Sequence, residues 1–292
     1  MIAIDWGTSS FRAYRLDAAG AIAEKRHAPL GIMQVEGGRF AEALEAQIGD
    51  WLVAGIGPVL MSGMIGSRQG WKEAAYVECP AGADQIAARL QRVTWGTGRE
   101  AWIAPGVCCR DAGGVPDVMR GEETQILGVL DQLPAQAWIC LPGTHSKWVE
   151  IRDRRIHGFT THMTGEVFAT LRTHTILGRM MTGTSNDAHW FAAGLDRARE
   201  AGGMLHHLFG VRARGLFGEL PDAAASAYLS GILIGHEVQA AAPAGATVYL
   251  LGAAALESVY VQALEHVGRR AVQLDADAAV RGLARLAQHL PG

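Results

Sequence analysis

The 292-residue sequence predicts an α/β protein in which mixed sheets are flanked by helices and two halves follow one plan. Three observations predict it. The chain opens with three strand-like runs in succession, 1–5, 11–16 and 21–26, before any helical spacing appears. Near the middle this opening recurs, because a buried strand again runs into a Gly-Thr-x-Ser corner at Gly143-Thr144-His145-Ser146, matching Gly7-Thr8-Ser9-Ser10, and Asp153 falls where Asp17 stood. Self-similarity of this kind marks a repeated structural unit. The C-terminal part then alternates strand and helix, the pattern of parallel βαβ units.

Each element has its own reason. Residues 1–5 are apolar up to Asp5, as a strand covered on both faces must be. In 11–16, Phe11 and Ala13 alternate with Arg12 and Tyr14, a period of two. Asp17-Ala18-Ala19-Gly20 is turn chemistry, so 21–26 returns as a third strand. Phe40, Ala43, Leu44, Ile48, Trp51 and Leu52 recur at helical spacing over 40–52. A buried strand follows at 58–62, then a glycine-rich loop over 61–70. Helices are expected at 83–92 and 121–130, with a short strand at 101–105 between them. The second half restarts at 138, with a return strand at 147–152 and a turn at 153–155. Asn186 or Asp187 caps a helix over 187–201, and Asp222 after Pro221 opens another over 222–241. A strand at 247–251, a helix to 266, a strand at 271–274 and a helix at 277–289 complete the chain. Nothing has linker composition, so the division falls in the short connection 132–136 and gives lobes 1–134 and 135–292.

Composition removes several functional classes. The 26 Lys+Arg against 29 Asp+Glu leave a net charge of −3, without the basic stripe that nucleic-acid backbones demand. The least polar stretch, 240–256, is broken by Pro243, Gly245, Thr247 and Gly252 and falls short of the ~20 apolar residues of a membrane span. The four cysteines, Cys79, Cys108, Cys109 and Cys140, show no CxxC spacing, and no signal-peptide pattern opens the chain, so a reducing cytoplasm is expected. Walker A, HExxH and GxSxG patterns are absent.

The corners carry chemistry. Glycine lets backbone approach closely and small hydroxyl residues leave the amides uncovered, so Gly7-Thr8-Ser9-Ser10 and Gly143-Thr144-His145-Ser146 each form a concavity suited to phosphate oxygens. One corner from each half would clamp a polyphosphate such as that of ATP. Asp5, at the end of the first strand, would hold Mg²⁺, which on nucleotide phosphates typically takes one or two carboxylates. Lys147 adds a point charge beside the second corner. Gly252-Ala253-Ala254-Ala255, after the strand at 247–251, makes a small-residue turn on which a purine can lie, though close helix-strand packing explains that run equally well.

These runs, Asp5-Trp6-Gly7-Thr8-Ser9-Ser10, Gly143-Thr144-His145-Ser146-Lys147 and Leu251-Gly252-Ala253-Ala254, resemble the two phosphate motifs and the adenosine motif of the actin, sugar kinase and Hsp70 superfamily. Within it, residues 4–12, Met119-Arg120-Gly121-Glu122-Glu123-Thr124-Gln125 and residues 141–148 resemble the 2-dehydro-3-deoxygalactonokinases over essentially the whole chain. The resemblance implies a two-lobed ribonuclease-H-like fold of the actin-like ATPase kind with an interlobe cleft. It also implies transfer of the ATP γ-phosphoryl to the 6-hydroxyl of 2-keto-3-deoxygalactonate in galactonate breakdown. The second corner departs from the superfamily pattern, with Leu141-Pro142 where an acidic residue is usual, so Asp5 carries the metal role alone.

Phosphoryl transfer needs in-line positioning, charge neutralisation and an acceptor for the hydroxyl proton. Glu122 and Glu123 are the base candidates. Their segment is similar to the Gly-x-Glu-Glu-Ala pattern of exopolyphosphatases, which favours Glu123; the alternative is that both only favour a helix N-terminus. For the sugar acid, the loop supplies Ser67, Arg68, Gln69 and Trp71, with Arg68 gripping the carboxylate as a bidentate fork. Glu166 receives no role. His206-His207 and Asp275/Asp277 read as surface histidines and a helix cap. The competing readings are a polyphosphate or nucleotide phosphatase, or a kinase of another sugar acid, on the same fold. The apolar face of 187–201 would support a homodimer.

Overall fold

The computed structural model describes residues 1–182, 187–275 and 277–290. The first half holds β1 (Ile2–Trp6), β2 (Phe11–Leu16), β3 (Ile22–Ala28), α1 (Phe40–Val53), β4 (Val59–Ser62), β5 (Val77–Glu78), α2 (Ala83–Ala87), β6 (Gln91–Trp95), β7 (Arg99–Ile103), β8 (Val107–Arg110), β9 (Pro116–Met119) and α3 (Glu122–Val129). The second holds β10 (Gln136–Leu141), β11 (Ser146–Arg152), β12 (Arg155–His162), α4 (Thr164–His174), α5 (Ala188–Arg199), α6 (Gly203–Leu216), α7 (Ala225–Ala241), β13 (Thr247–Leu250), α8 (Ala254–His266), β14 (Arg270–Gln273) and α9 (Ala278–Ala287).

The repeat is real at the level of topology. One sheet has the order β3-β2-β1-β4-β7-β6 and the other β12-β11-β10-β13-β14, so five strands of each follow the same permutation. In the first, β1 pairs antiparallel with β2 and parallel with β4. In the second, β10 pairs parallel with β13, and β13 with β14. A central strand hydrogen-bonded on both edges and covered on both faces cannot carry polar side chains in its middle, and Ile2, Ala3 and Ile4 are fully buried. The core of the first half sets Ile2, Ile4, Trp6 and Phe11 against Phe40, Leu44, Ile48 and Trp51 of α1. That of the second sets Cys140, Trp148, Val248 and Leu250 against Val238, Tyr260 and Leu264. These are mixed ribonuclease-H-like sheets flanked by helices.

Two compact units result: Met1–Gln136 with Ile151–Gly158 and the chain from Asp275, and Ala137–Glu150 with Phe159–Leu274. The first unit thus takes in two segments from beyond residue 136. Helix α9 joins the first unit because it packs on α3 through facing glycines. A β-carbon on Gly128 would stand 1.9 Å from the Ala278 carbonyl oxygen, and one on Gly282 would stand 1.7 Å from that of Thr124. The tip of the β11–β12 hairpin joins it through a two-way backbone bridge between Ala81 and Ile156 at 2.8 and 2.9 Å and an ion pair of Arg154 with Asp131.

Other expectations are revised. The helix at 83–92 ends at Ala87, and Gln91–Trp95 is instead β6, antiparallel to β7. Its buried Val93 and Trp95 alternate with outward residues over too short a run to stand out. Strand β12 follows a turn in which Asp153 and Arg154 take φ of 48° and 62°, left-handed geometry usually signalled by glycine. Asp187 caps α5 by accepting from the Trp190 N–H; Asn186 lies outside the described residues. His207 is not a surface residue: it is fully buried on α6, with its Nδ1 3.0 Å from His236 Nε2 and its Nε2 3.1 Å from the Ala201 carbonyl. No helix among the described residues is long and apolar enough to cross a membrane.

Candidate active site

In the first unit the corner closes when the Gly7 N–H donates to the Ser10 carbonyl at 2.9 Å, which leaves Thr8 and Ser9 exposed at the tip. Gly31 backs it: the Ile32 N–H donates to the Gly7 carbonyl, and a β-carbon on Gly31 would sit 2.1 Å from the Thr8 carbonyl oxygen. Asp5, just before the corner, has Arg12 at 3.5 Å. Burial pushes its carboxyl above the ordinary carboxylate range, and Arg12 opposes this.

Three loops meet beside Asp5. Gly63, at φ 90°, is so close that a β-carbon would stand 3.3 Å from Asp5 Oδ1 and 2.9 Å from the Trp6 carbonyl oxygen. Gly121, at φ 104°, would place a β-carbon 3.2 Å from Gly63 Cα. Both positions combine left-handed backbone with close approach, which glycine alone permits. Gly121 delivers the first turn of α3, where Glu123 is fully buried. Its Oε2 accepts from the Gly121 N–H at 2.6 Å, while Oε1 is buried without a hydrogen-bond partner. Desolvation first, then the neighbouring Glu122 charge, push the Glu123 carboxyl up to about 8. Buried polar atoms are nearly always partnered, so the unpartnered Oε1 makes Glu123 a candidate functional group. Glu122 folds back, accepting from the Arg120 N–H at 3.0 Å.

In the second unit, the Gly143-Thr144-His145 corner packs on the first turn of α4. The Glu166 N–H donates to the Thr144 carbonyl at 3.0 Å, and a β-carbon on Gly165 would stand 2.5 Å from the Gly143 carbonyl oxygen. Gly165 thus backs this corner as Gly31 backs the other. Glu166, left without a role by the sequence, meets His145 Nε2 at 2.5 Å. The Ser146 hydroxyl is fully buried, 2.8 Å from Tyr260 Oη, which in turn donates to the buried Glu237. The Lys147 ammonium is also turned in and donates to Thr161 Oγ1 at 2.8 Å. Both face the interior because they begin β11, a strand covered on both sides. Gly252 donates its N–H to Glu257 at 2.8 Å and lies against Pro142, and Ala253 is the N-cap of α8. Ala255, Ser258 and Val259 of α8 line a cavity of about 470 Å³ with Phe168, Phe191 and Ser226, a volume suited to a small-molecule ligand.

The sugar-acid loop is only partly as expected. Arg68 is 87% exposed and its Nε donates to Glu73 at 3.1 Å. Gln69 is exposed as well. Trp71 packs on the core of the first unit, edge-on to Trp95 with centroids 5.4 Å apart. Ser67 keeps a buried hydroxyl without a partner. The sequence reading missed Arg120, whose Nε and Nη1 are buried without partners, and the supporting glycines Gly31, Gly63 and Gly165. Gly31 and Gly165 follow their corners at spacings of 24 and 22 residues from Gly7 and Gly143, a signal legible only once the repeat is aligned.

Residues 5–286 match the family model described as 2-keto-3-deoxy-galactonokinase. A curated protein of Rhizobium meliloti (strain 1021), named "Probable 2-dehydro-3-deoxygalactonokinase DgoK1", is 40% identical over 98% of this chain and 96% of its own. The 2-dehydro-3-deoxygalactonokinase of Escherichia coli (strain K12) is 35% identical over 99% and 97%. A crystallised protein of Sinorhizobium meliloti, provisionally given the same name, superposes with a TM-score of 0.87 at 38% identity over 98% of both chains. At 12% identity, and for the fold alone, component A of the Acidaminococcus fermentans (R)-2-hydroxyglutaryl-CoA dehydratase superposes at 0.51 over 98% of this chain and 95% of its own.

Proposed function

The chain belongs to the 2-keto-3-deoxy-galactonokinase family, and from that membership we propose a residue-level mechanism for its ATP-dependent phosphorylation of 2-dehydro-3-deoxygalactonate at the 6-hydroxyl. The observation that carries the mechanism is Glu123: fully buried, with Oε1 unpartnered, raised to about 8 and set on a glycine turn that touches Gly63 beside Asp5. A carboxylate so tuned is a base matched to neutral pH.

Glu123 Oε1 accepts the proton of the 6-hydroxyl as the new O–P bond forms and the β–γ bridging O–P bond breaks, releasing ADP. The amides of Gly7, Thr8, Ser9 and Ser10 and of Gly143, Thr144 and His145 bind phosphate oxygens, and Ser146 and Lys147 contribute through backbone position. Gly252 and Ala253, with the cavity flanking α8, take the adenosine. Asp5 would hold Mg²⁺ through its half-buried carboxylate, a hard oxygen donor of the kind that ion takes one or two of when it rides on nucleotide phosphates. When bound, the ion neutralises charge on the transferring phosphoryl group. The phosphatase alternative is not favoured by the family membership. The test is ADP release coupled to each 2-keto-3-deoxy sugar acid with ATP and Mg²⁺, with phosphorus NMR of the product. ADP formation independent of the sugar acid would overturn the reading.

A further inference from the structure

The first unit contains something the shared plan does not. Beyond the five strands common to both sheets, it inserts a three-stranded sheet of order β5-β8-β9. Arg120 follows β9 directly, and its side chain is fastened to the approach to β5: Nη2 donates to the Ala74 carbonyl at 2.7 Å, and the guanidinium lies 4.5 Å from the centre of the Tyr76 ring. Gly66 makes room for it, since a β-carbon there would stand 2.9 Å from Arg120 Nη1. Next to Gly66 is Ser67. Arg120 Nε, Arg120 Nη1 and Ser67 Oγ are all buried without hydrogen-bond partners.

A guanidinium is a fork of N–H donors with no acceptor. Its Nη2 edge and its face are held by Ala74 and Tyr76, and its charge acts on Glu123, but leaving the other donors buried and unmet costs free energy that an anion would offset. A planar carboxylate matches that fork. We propose that Arg120, with the Ser67 hydroxyl, binds the carboxylate end of the sugar acid, while Glu123 faces the hydroxyl at its other end. The proposal gives that role to Arg120 in place of Arg68. The proposal rests on the kinase reading above and deepens it.

The test is steady-state kinetics of the full-length enzyme with the sugar acid and with its uncharged carboxamide. Wild-type turnover of the acid is measured first; its absence sinks the kinase reading itself and is seen before any variant is made. In Arg120→Met the KM for the acid should rise on the order of 10²-fold, the scale of a lost charge-assisted fork. The KM for ATP should stay within about threefold, and the preference for acid over amide should vanish. Arg68→Ala should leave that preference intact. If Arg120→Met does not fold, Ser67→Ala decides: it removes an unpartnered hydroxyl, so the melting temperature should hold while the acid's KM rises severalfold. A folded Arg120→Met enzyme that still prefers acid to amide overturns the proposal, and so does one in which the KM for ATP rises instead. An unchanged KM in folded Ser67→Ala, where Arg120→Met is unusable, does the same.

Discussion

Gly282, near the end of the chain, lies so close to Thr124 that a β-carbon on it would stand 1.7 Å from the Thr124 carbonyl oxygen. Gly128 makes the reciprocal approach to Ala278, and Arg281 Nε donates to the Gly128 carbonyl at 3.0 Å across the same crossing. The last helix therefore fixes the helix whose first turn carries Glu122 and Glu123. Replacing Gly282 with Ala should force α3 and α9 apart. Overpacking of this kind costs about 1–3 kcal/mol, read as a lowered midpoint in chemical denaturation. Because α3 carries the proposed base, kcat should fall in the fraction that remains folded. A variant of native stability and turnover would show that the crossing yields without moving the site.

Glu123→Gln keeps the shape and the acceptance of the Gly121 N–H but cannot take a proton. Its kcat should fall on the order of 10²-fold or more, with little change in either KM. Glu122→Gln should cost far less, because Glu122 is turned back onto the Arg120 N–H. Steady-state rates of the two variants, measured side by side, decide which glutamate is the base.

The raised Glu123 carboxyl makes a pH prediction. The base must be ionised, so kcat/KM should rise about tenfold per pH unit on the acid side and level off near pH 8, where this group titrates in the fold. Stability runs the other way. In the fold the carboxyl holds its proton up to about 8, whereas its ordinary value is 4.5, so the native state binds more protons than the unfolded chain between these values. Unfolding free energy is lost as pH rises through that window. Glu123→Gln removes this loss, so its melting temperature relative to wild type should be higher at pH 8 than at pH 5. Parallel melting curves at the two pH values check the sign.

Gly165→Ala would set a β-carbon against the Gly143 carbonyl, and Gly31→Ala against that of Thr8. Either substitution displaces one corner, and under the proposed mechanism moves its amides away from phosphate. Misplacement of about an ångström at a reacting group costs on the order of 10²-fold, so kcat/KM for ATP should fall by that scale in each variant. Gly165→Ala should leave sugar-acid binding nearly unchanged, since its corner lies in the unit without Arg120; equilibrium titration with the acid alone measures this.

What the residues determined by themselves was the repeated plan. Strands such as Ile2–Trp6 and Phe11–Leu16 are written in local alternation or continuous apolarity, and a Gly-Thr corner is chemistry held in four adjacent residues, so both read directly from the chain. The contact of Glu123 with the Gly121 N–H is local in the same way, since the two residues are two positions apart. Only the tertiary structure decided what depends on residues far apart. The exposure of Arg68 and its pairing with Glu73 are set by the fold, as is the cluster of Ala74, Tyr76 and Gly66 around Arg120. Ser146 and Lys147 carried the expected motif, yet the buried face of β11 turned their side chains inward, to Tyr260 and Thr161. The last helix packs against α3, because two glycines 154 residues apart allow the backbones to approach. Local sequence encodes backbone preference and chemical capacity; which buried donor stays unmet, and is therefore free to bind, is set by packing between segments that the sequence does not place side by side.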